Sequence, residues 1–405
     1  MNKPECDISH LLSVRSFGAV GDGRTDDLAA LNAAVAAARE TGAVLELPAG
    51  DYLISDCLIL DRVSLLSRGA RILGRGMRVN IPAVELCDRV CVFGSLTVDY
   101  CDNGKSNHGG RCNVGLGRYE DRRSGASHCY IEDLTLTGGG MVNSNGILIT
   151  GNSHDIRVDH VKVPSGSTIW RGILCHWGNA GDHRTARNGY CADMGEKGYV
   201  HVDGWQPTLH PHDIHLGLVE CEDFVHVGEG HDGDKAAVAV CACYNVEVDE
   251  IRIRNSAHAF EVTGADIGFE YASPAEKAYG EKGIHVHKIV GTDLRDIALY
   301  AVGYPWYIQR ASVGLELTVD EADLSAAPGN KVGAVSLHRT DRVNVGRLTL
   351  RNFRDTPLIY ACRGCRNVTV EELRGVNCTS DTVRIFTRPI DRPTENIQIK
   401  KWIFE

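Results

Sequence analysis

Short runs in which Ile, Val or Leu alternate with polar or charged residues recur along most of the chain, and each predicts a half-buried β-strand. The clearest are HDIRVDHVKV (154–163), HDIHLGLVE (212–220), NVEVDEIRI (245–253), RVNVGRLTL (342–350) and NVTVEEL (367–373). In each, alternate apolar residues can face one core while their neighbours face water. A second, shorter strand-like run follows each of the first three: GILCHWG from 172, DFVHVG from 223 and AFEVTG from 259, with ALYAVG from 298 as a further example. Units recurring at roughly 20–30 residues predict a solenoid, in which every coil buries its apolar face against the next.

The short runs also predict a register. With Ile173 and Cys175, Val225 and Val227, Phe260 and Val262, and Leu299 and Ala301 pointing inward, the outward column is Leu174, His226, Glu261 and Tyr300. His176 lies one step further along its strand. Equivalent residues of successive parallel strands stack about 4.8 Å apart, so residues distant in sequence can share one cleft.

The N-terminal segment departs from the repeat. In SVRSFGAVGDGRTDDLAALNAAVAAARETGAVLELPAGDY (13–52), Gly18, Gly21 and Gly23 offer left-handed turn positions and Asp26 or Asp27 can cap a helix. Leu28, Leu31, Val35 and Ala38 give that helix an apolar stripe, and Val44–Leu47 reads as a strand. This FGAVGDGRTDD–VLEL–PAGDY pattern resembles the N-terminal cap of the pectate-lyase-like superfamily, which also takes in polygalacturonase-type hydrolases, epimerases and phage tailspikes. The resemblance implies an all-β, single-stranded right-handed parallel β-helix whose short helix covers the open first coil. It also implies carbohydrate chemistry, and it admits a homotrimer, an assembly common among similar β-helices. Residues 1–405 are expected to be one β-helix domain, with a cap and first coil at 13–52, a cleft loop at 178–208 and a tail at 388–405.

The formal charge of −10 argues against a nucleic-acid partner and makes a strongly anionic polymer a less natural substrate. No run approaches the roughly 18 apolar residues of a membrane span. The start MNKPECDISHLL lacks the apolar core of a secretory signal, which leads to the expectation of a cytoplasmic protein acting on oligosaccharides. The 15 cysteines are scattered through strand-like runs and read as reduced, buried thiols, the pairs Cys241/Cys243 and Cys362/Cys365 included.

Candidate chemistry concentrates in one region. Eight of the 17 histidines and three of the five tryptophans fall between Trp170 and His231, more than core packing requires. Within HVGEGHDGDK (226–235), Glu229, His231, Asp232 and Asp234 share a glycine-rich turn; glycosidic hydrolysis needs two carboxyl groups, and Glu261 is a further candidate. No cofactor and no resident metal are expected, a calcium-type cation on the acidic turn being the alternative use of these oxygens. His176, Trp177, His183, Arg184, Trp205, His226, Tyr300, Arg171 and Trp306 are the substrate-binding candidates, the tryptophans as flat surfaces for sugar rings. Arg171, His183 and Arg184 can also hold a carboxylate, as a uronate lyase or C5-epimerase needs. HPHD (210–213) departs at its first residue from the DPHD element of alginate epimerases, and the NTD and RIK elements of polygalacturonases are missing, so no epimerase or polygalacturonase roles carry over. Three readings follow: a glycoside-cleaving enzyme working through a carboxylate pair, a lyase or epimerase, and a noncatalytic binding or tailspike-like module.

Overall fold

Repeated short strands joined by tight corners build the molecule as a stack of coils. The computed structural model describes residues 3–77, 81–101, 112–117, 125–139, 144–176, 211–223, 236–241, 243–256, 258–263, 283–302, 316–330, 332–338, 340–354, 356–362, 364–379, 382–386 and 393–405. Among the described residues all strand pairs are parallel, and they form one sheet of 17 strands and another of 11. Long strands such as His154–Val163, His212–Glu222, Tyr244–Arg254, Ile284–Leu294, Leu317–Ala326, Asp341–Arg351 and Arg366–Val376 make the first. Short strands such as Asn145–Thr150, Arg171–His176, Ala236–Cys241, His258–Thr263, Leu299–Val302, Val335–His338 and Ile359–Cys362 make the second. The chain is thus a right-handed parallel β-helix, the architecture that the repeat and the cap predict.

The core is a set of apolar columns. Ile156, Ile214, Val246, Ile284, Leu317, Val343 and Val368 stack in register on the long sheet, and all are buried. The long strands turn a corner midway. In His212–Glu222 the buried apolar residues are Ile214, Leu216, Val219 and Cys221, with Gly217 and Leu218 consecutive at the bend. A Cβ added to Gly217 would fall 2.2 Å from the Asp159 carbonyl oxygen, so the corner admits no side chain there.

Asn and Asp mark the other corners. Asp155, Asp213, Asn245, Asn367 and Asn396, each the second residue of its strand, all have φ near +50°. Asp223, Asn255, Asn352 and Asn377 do the same at the opposite end. These short polar side chains tolerate the left-handed conformation and bond one another from coil to coil. Asn255 Nδ2 donates to Asp223 (2.8 Å), Asn377 to Asn352 (2.8 Å), Asn396 to Asn367 (2.6 Å), and Asn245 to Asp213.

The cap helix runs Leu28–Thr41 and buries Leu31, Ala34 and Ala38 over the first coil, with Leu28 and Val35 partly buried. Of the two residues expected to cap it, Asp26 supplies the side-chain contact at its start. Asp26 Oδ1 accepts the Leu28 amide, whereas the Asp27 carboxylate, 1% exposed, turns back to accept the amides of Val20 (2.6 Å) and Gly21 (2.8 Å). Asp27 therefore fastens the glycine loop to the helix. Asp27→Ala is expected to cost about 1–3 kcal/mol in chemical denaturation, because the two amides lose their acceptor, and Asp27→Asn less. An unchanged midpoint would show that the loop holds without it.

Cys129 and Cys175 are buried thiols, and burial pushes their pKa up to about 12. Among the described residues, no helix is long and apolar enough to cross a membrane.

Candidate functional site

The outer face of the short-strand sheet carries the column predicted from sequence, with one substitution. Leu174, Ala239, Glu261, Tyr300, Ser336 and Tyr360 are consecutive register partners. Ala239 holds the place expected for His226, because the strand paired with both Arg171–His176 and His258–Thr263 is Ala236–Cys241. Val238 and Val240 correspondingly take the inward places expected for Val225 and Val227, while Ile173, Cys175, Phe260, Val262, Leu299 and Ala301 point inward as read. His176 lies in the adjoining row, with Cys241, Thr263, Val302 and His338 as successive partners.

Along this face the chemistry changes at Glu261. Leu148, Leu174 and Ala239 form a buried apolar patch with Cys112 and Ala236; beyond it come a carboxylate and a run of rings. Glu261 is 7% exposed. Its strand holds it outward because its neighbours Phe260 and Val262 are locked into the core. The His258 and Tyr300 rings lie 5.0 Å apart, Tyr300 and His338 5.5 Å, and His338 and Tyr360 5.9 Å. The Ser336 hydroxyl hydrogen-bonds His338 Nε2 at 2.8 Å. Together these residues make a polar, aromatic strip running along the helix axis.

His258 stands at the head of the strip, 2% exposed, and its Nδ1 makes no hydrogen bond among the described residues. Nδ1 lies 4.0 Å from Glu261 Oε2. Burial first, and the Arg171 charge second, lower its pKa from the ordinary 6.5 to about 4, so at neutral pH this contact is a neutral imidazole beside a carboxyl and not an ion pair. Arg171 is in register with Ala236, and Ala236 with His258, which sets the guanidinium's strand two positions away.

A pH dependence follows. A histidine whose folded pKa is depressed stabilises nothing extra above about pH 6.5, where it is neutral in both states, and costs stability as pH falls towards 4, where only the unfolded chain takes up the proton. The full shift corresponds to about 3 kcal/mol. Denaturant unfolding of the wild type should lose stability across that window, and His258→Gln should flatten the loss. Parallel acid limbs in the two proteins would contradict this assignment.

Of the other sequence candidates, Glu229, His231, Asp232, Asp234, His226, Trp177, His183, Arg184, Trp205 and Trp306 lie outside the described residues. The structure therefore brings together Glu261, Tyr300 and Arg171 on one face, with the backbone of His176 beside them. It adds His258, His338 and Tyr360, which sequence reading missed. Tyr360, the second residue of the short strand Ile359–Cys362, lies in a run of the same kind as that of Glu261, whereas His258 sits at a strand start, where alternation does not set direction.

Residues 11–83 match the family described as rhamnogalacturonase A/epimerase, pectate lyase-like. No curated protein sequence matches the chain. Among solved structures, the catalytic unit of a GH87 α-1,3-glucanase from Streptomyces thermodiastaticus is similar at 12% identity and a TM-score of 0.53, covering 99% of this chain and 69% of that one. The surface adhesin of Streptococcus pneumoniae gives 13% identity and 0.43, with 98% and 100% covered. The A-module of a mannuronan C-5 epimerase from Azotobacter vinelandii gives 12% and 0.40, with 95% and 99% covered. The family match covers the cap and first coils, and the likeness to the glucanase is one of fold; both accord with the right-handed parallel β-helix.

Proposed function

We propose that this protein is a carbohydrate-active enzyme that cleaves glycosidic bonds on the outer face of the short-strand sheet. The observation that carries the reading is the buried Glu261 beside the partly exposed rings of Tyr300, His338 and Tyr360. Flat rings receive the C–H faces of sugars, and a strip parallel to the helix axis suits an extended oligosaccharide. Glu261, shielded from water, serves as the acid that protonates the leaving oxygen or as its conjugate base. The second carboxylate is assigned to Asp232 or Asp234, which precede Ala236 by only a few residues in the strand paired with His258–Thr263.

A second reading, lyase or C5-epimerase action on a uronate, is favoured by one specific feature. Arg171 shares this face with the Tyr300 phenol and two histidines, a set that can neutralise a sugar carboxylate and move the C5 proton.

A screen of neutral and uronic oligosaccharides, read at once by reducing-end release and by ultraviolet absorbance of unsaturated uronates, separates the two. Reducing ends without new absorbance support hydrolysis. New absorbance assigns the site to elimination, and silence in both channels leaves a binding module.

A further inference from the structure

The other sheet carries a second cluster, on a face that the proposed chemistry does not use. Strand Ile284–Leu294 places His285 and His287 outward on either side of the inward Val286. Asp320 comes from the next strand, at the bend between Val319, partner of Val286, and Glu321, partner of Lys288. Glu247 comes from the preceding strand, directly opposite His285.

Three coils thus converge. The Asp320 carboxylate holds both imidazoles, Oδ1 on His285 Nε2 at 2.8 Å and Oδ2 on His287 Nδ1 at 2.7 Å. Glu247 Oε1 lies 3.0 Å from the other ring nitrogen, His287 Nε2. The two rings are 4.1 Å apart. His287 and Asp320 also line an open groove of about 630 Å³ with Asp249, Glu250 and Lys288.

We propose that His285, His287 and Asp320 form a binding site for a divalent d-block cation of the zinc type. Their ligand atoms, Nε2, Nδ1 and a carboxylate oxygen, lie within 4.8 Å of one another, so small side-chain rotations bring all three onto one ion. Two imidazoles select against calcium and magnesium, which take oxygen ligands, and favour zinc, nickel or copper. Glu247 supplies what a metal-bound imidazole ordinarily has behind it, a carboxylate on the ring nitrogen that does not ligate, which fixes the tautomer and raises ligand basicity. Gly346 in the following coil lets the backbone pack against the bend that carries Asp320, since a Cβ there would fall 2.5 Å from the Asp320 carbonyl oxygen. A bound ion would join the coil of Ile284–Leu294 to that of Leu317–Ala326 and, through Glu247, to that of Tyr244–Arg254, so it acts as a staple across the stack.

The test is calorimetric titration of the chelator-treated full chain with Zn²⁺, beside the double variant His285→Gln/His287→Gln and the single variant Glu247→Gln. The expected results are one equivalent bound by the wild type, affinity lowered at least about tenfold in the double variant, and about tenfold in Glu247→Gln. Because these side chains are partly exposed, the variants should keep the wild-type circular dichroism and metal-free melting midpoint. Co²⁺ substitution distinguishes this site from the many thiols: d–d bands without a thiolate charge-transfer band support it. A thiolate band, no Zn²⁺ binding by the wild type, or unchanged affinity in the double variant would overturn the assignment.

Discussion

Glu261→Gln is expected to lower turnover by about 10²–10⁴-fold, the range associated with losing a positioned general acid or base. The substitution keeps size and shape, and Phe260 and Val262 anchor the strand on either side, so the residue should stay in its column between Ala239 and Tyr300. The carboxyl lies beside a buried neutral histidine, where solvent cannot replace its proton-transfer role. Steady-state kinetics on the active substrate of the oligosaccharide screen, with melting of both proteins in parallel, provide the check. A large loss of turnover with an unchanged midpoint supports the catalytic assignment. Retained turnover would move the chemistry elsewhere on the face.

Phe260→Ala should produce the largest loss of stability from a single truncation at the site, about 3–5 kcal/mol. The ring is fully buried, and its column neighbours Val238 and Leu299 belong to strands fixed by their own ladders. Those strands cannot close over the gap, so both the transfer and the cavity contributions are lost. Urea unfolding of Phe260→Ala and Phe260→Leu tests this, with the leucine variant losing less. A shift within about 0.5 kcal/mol for alanine would mean that the coil relaxes far more than its register suggests.

The repeat made the fold legible because half-buried strands write their orientation as alternation. Residues 154–163, 212–220, 245–253 and 367–373 all fall within long strands, and Ile173/Cys175, Phe260/Val262 and Leu299/Ala301 point inward as read. The reading failed where alternation disappears. AAVAVC (236–241) is buried on both faces, with Ala236 and Ala239 outward in an apolar patch, so it carries no period of two, and the more regular run at 223 stood in for it. Of the candidate site, Glu261 and Tyr300 were accessible because they sit in equivalent runs. His258 was not, because it lies at a strand start where alternation does not set direction. The His285–His287–Asp320 cluster was invisible for a different reason. Asp320 comes from a different coil from the two histidines, and no local spacing marks the bend that places it beside His287.

The Asn and Asp residues in left-handed corners have an evolutionary consequence. Several coils carry at a corner an Asn or Asp side chain that donates to the coil before it or accepts from the coil after it, as Asn245 with Asp213 and Asn377 with Asn352 illustrate. At those corners the upper edge of one coil matches the lower edge of the next. Duplicating one complete turn between such corners would leave a matching seam, which makes the whole turn the unit by which the stack can lengthen.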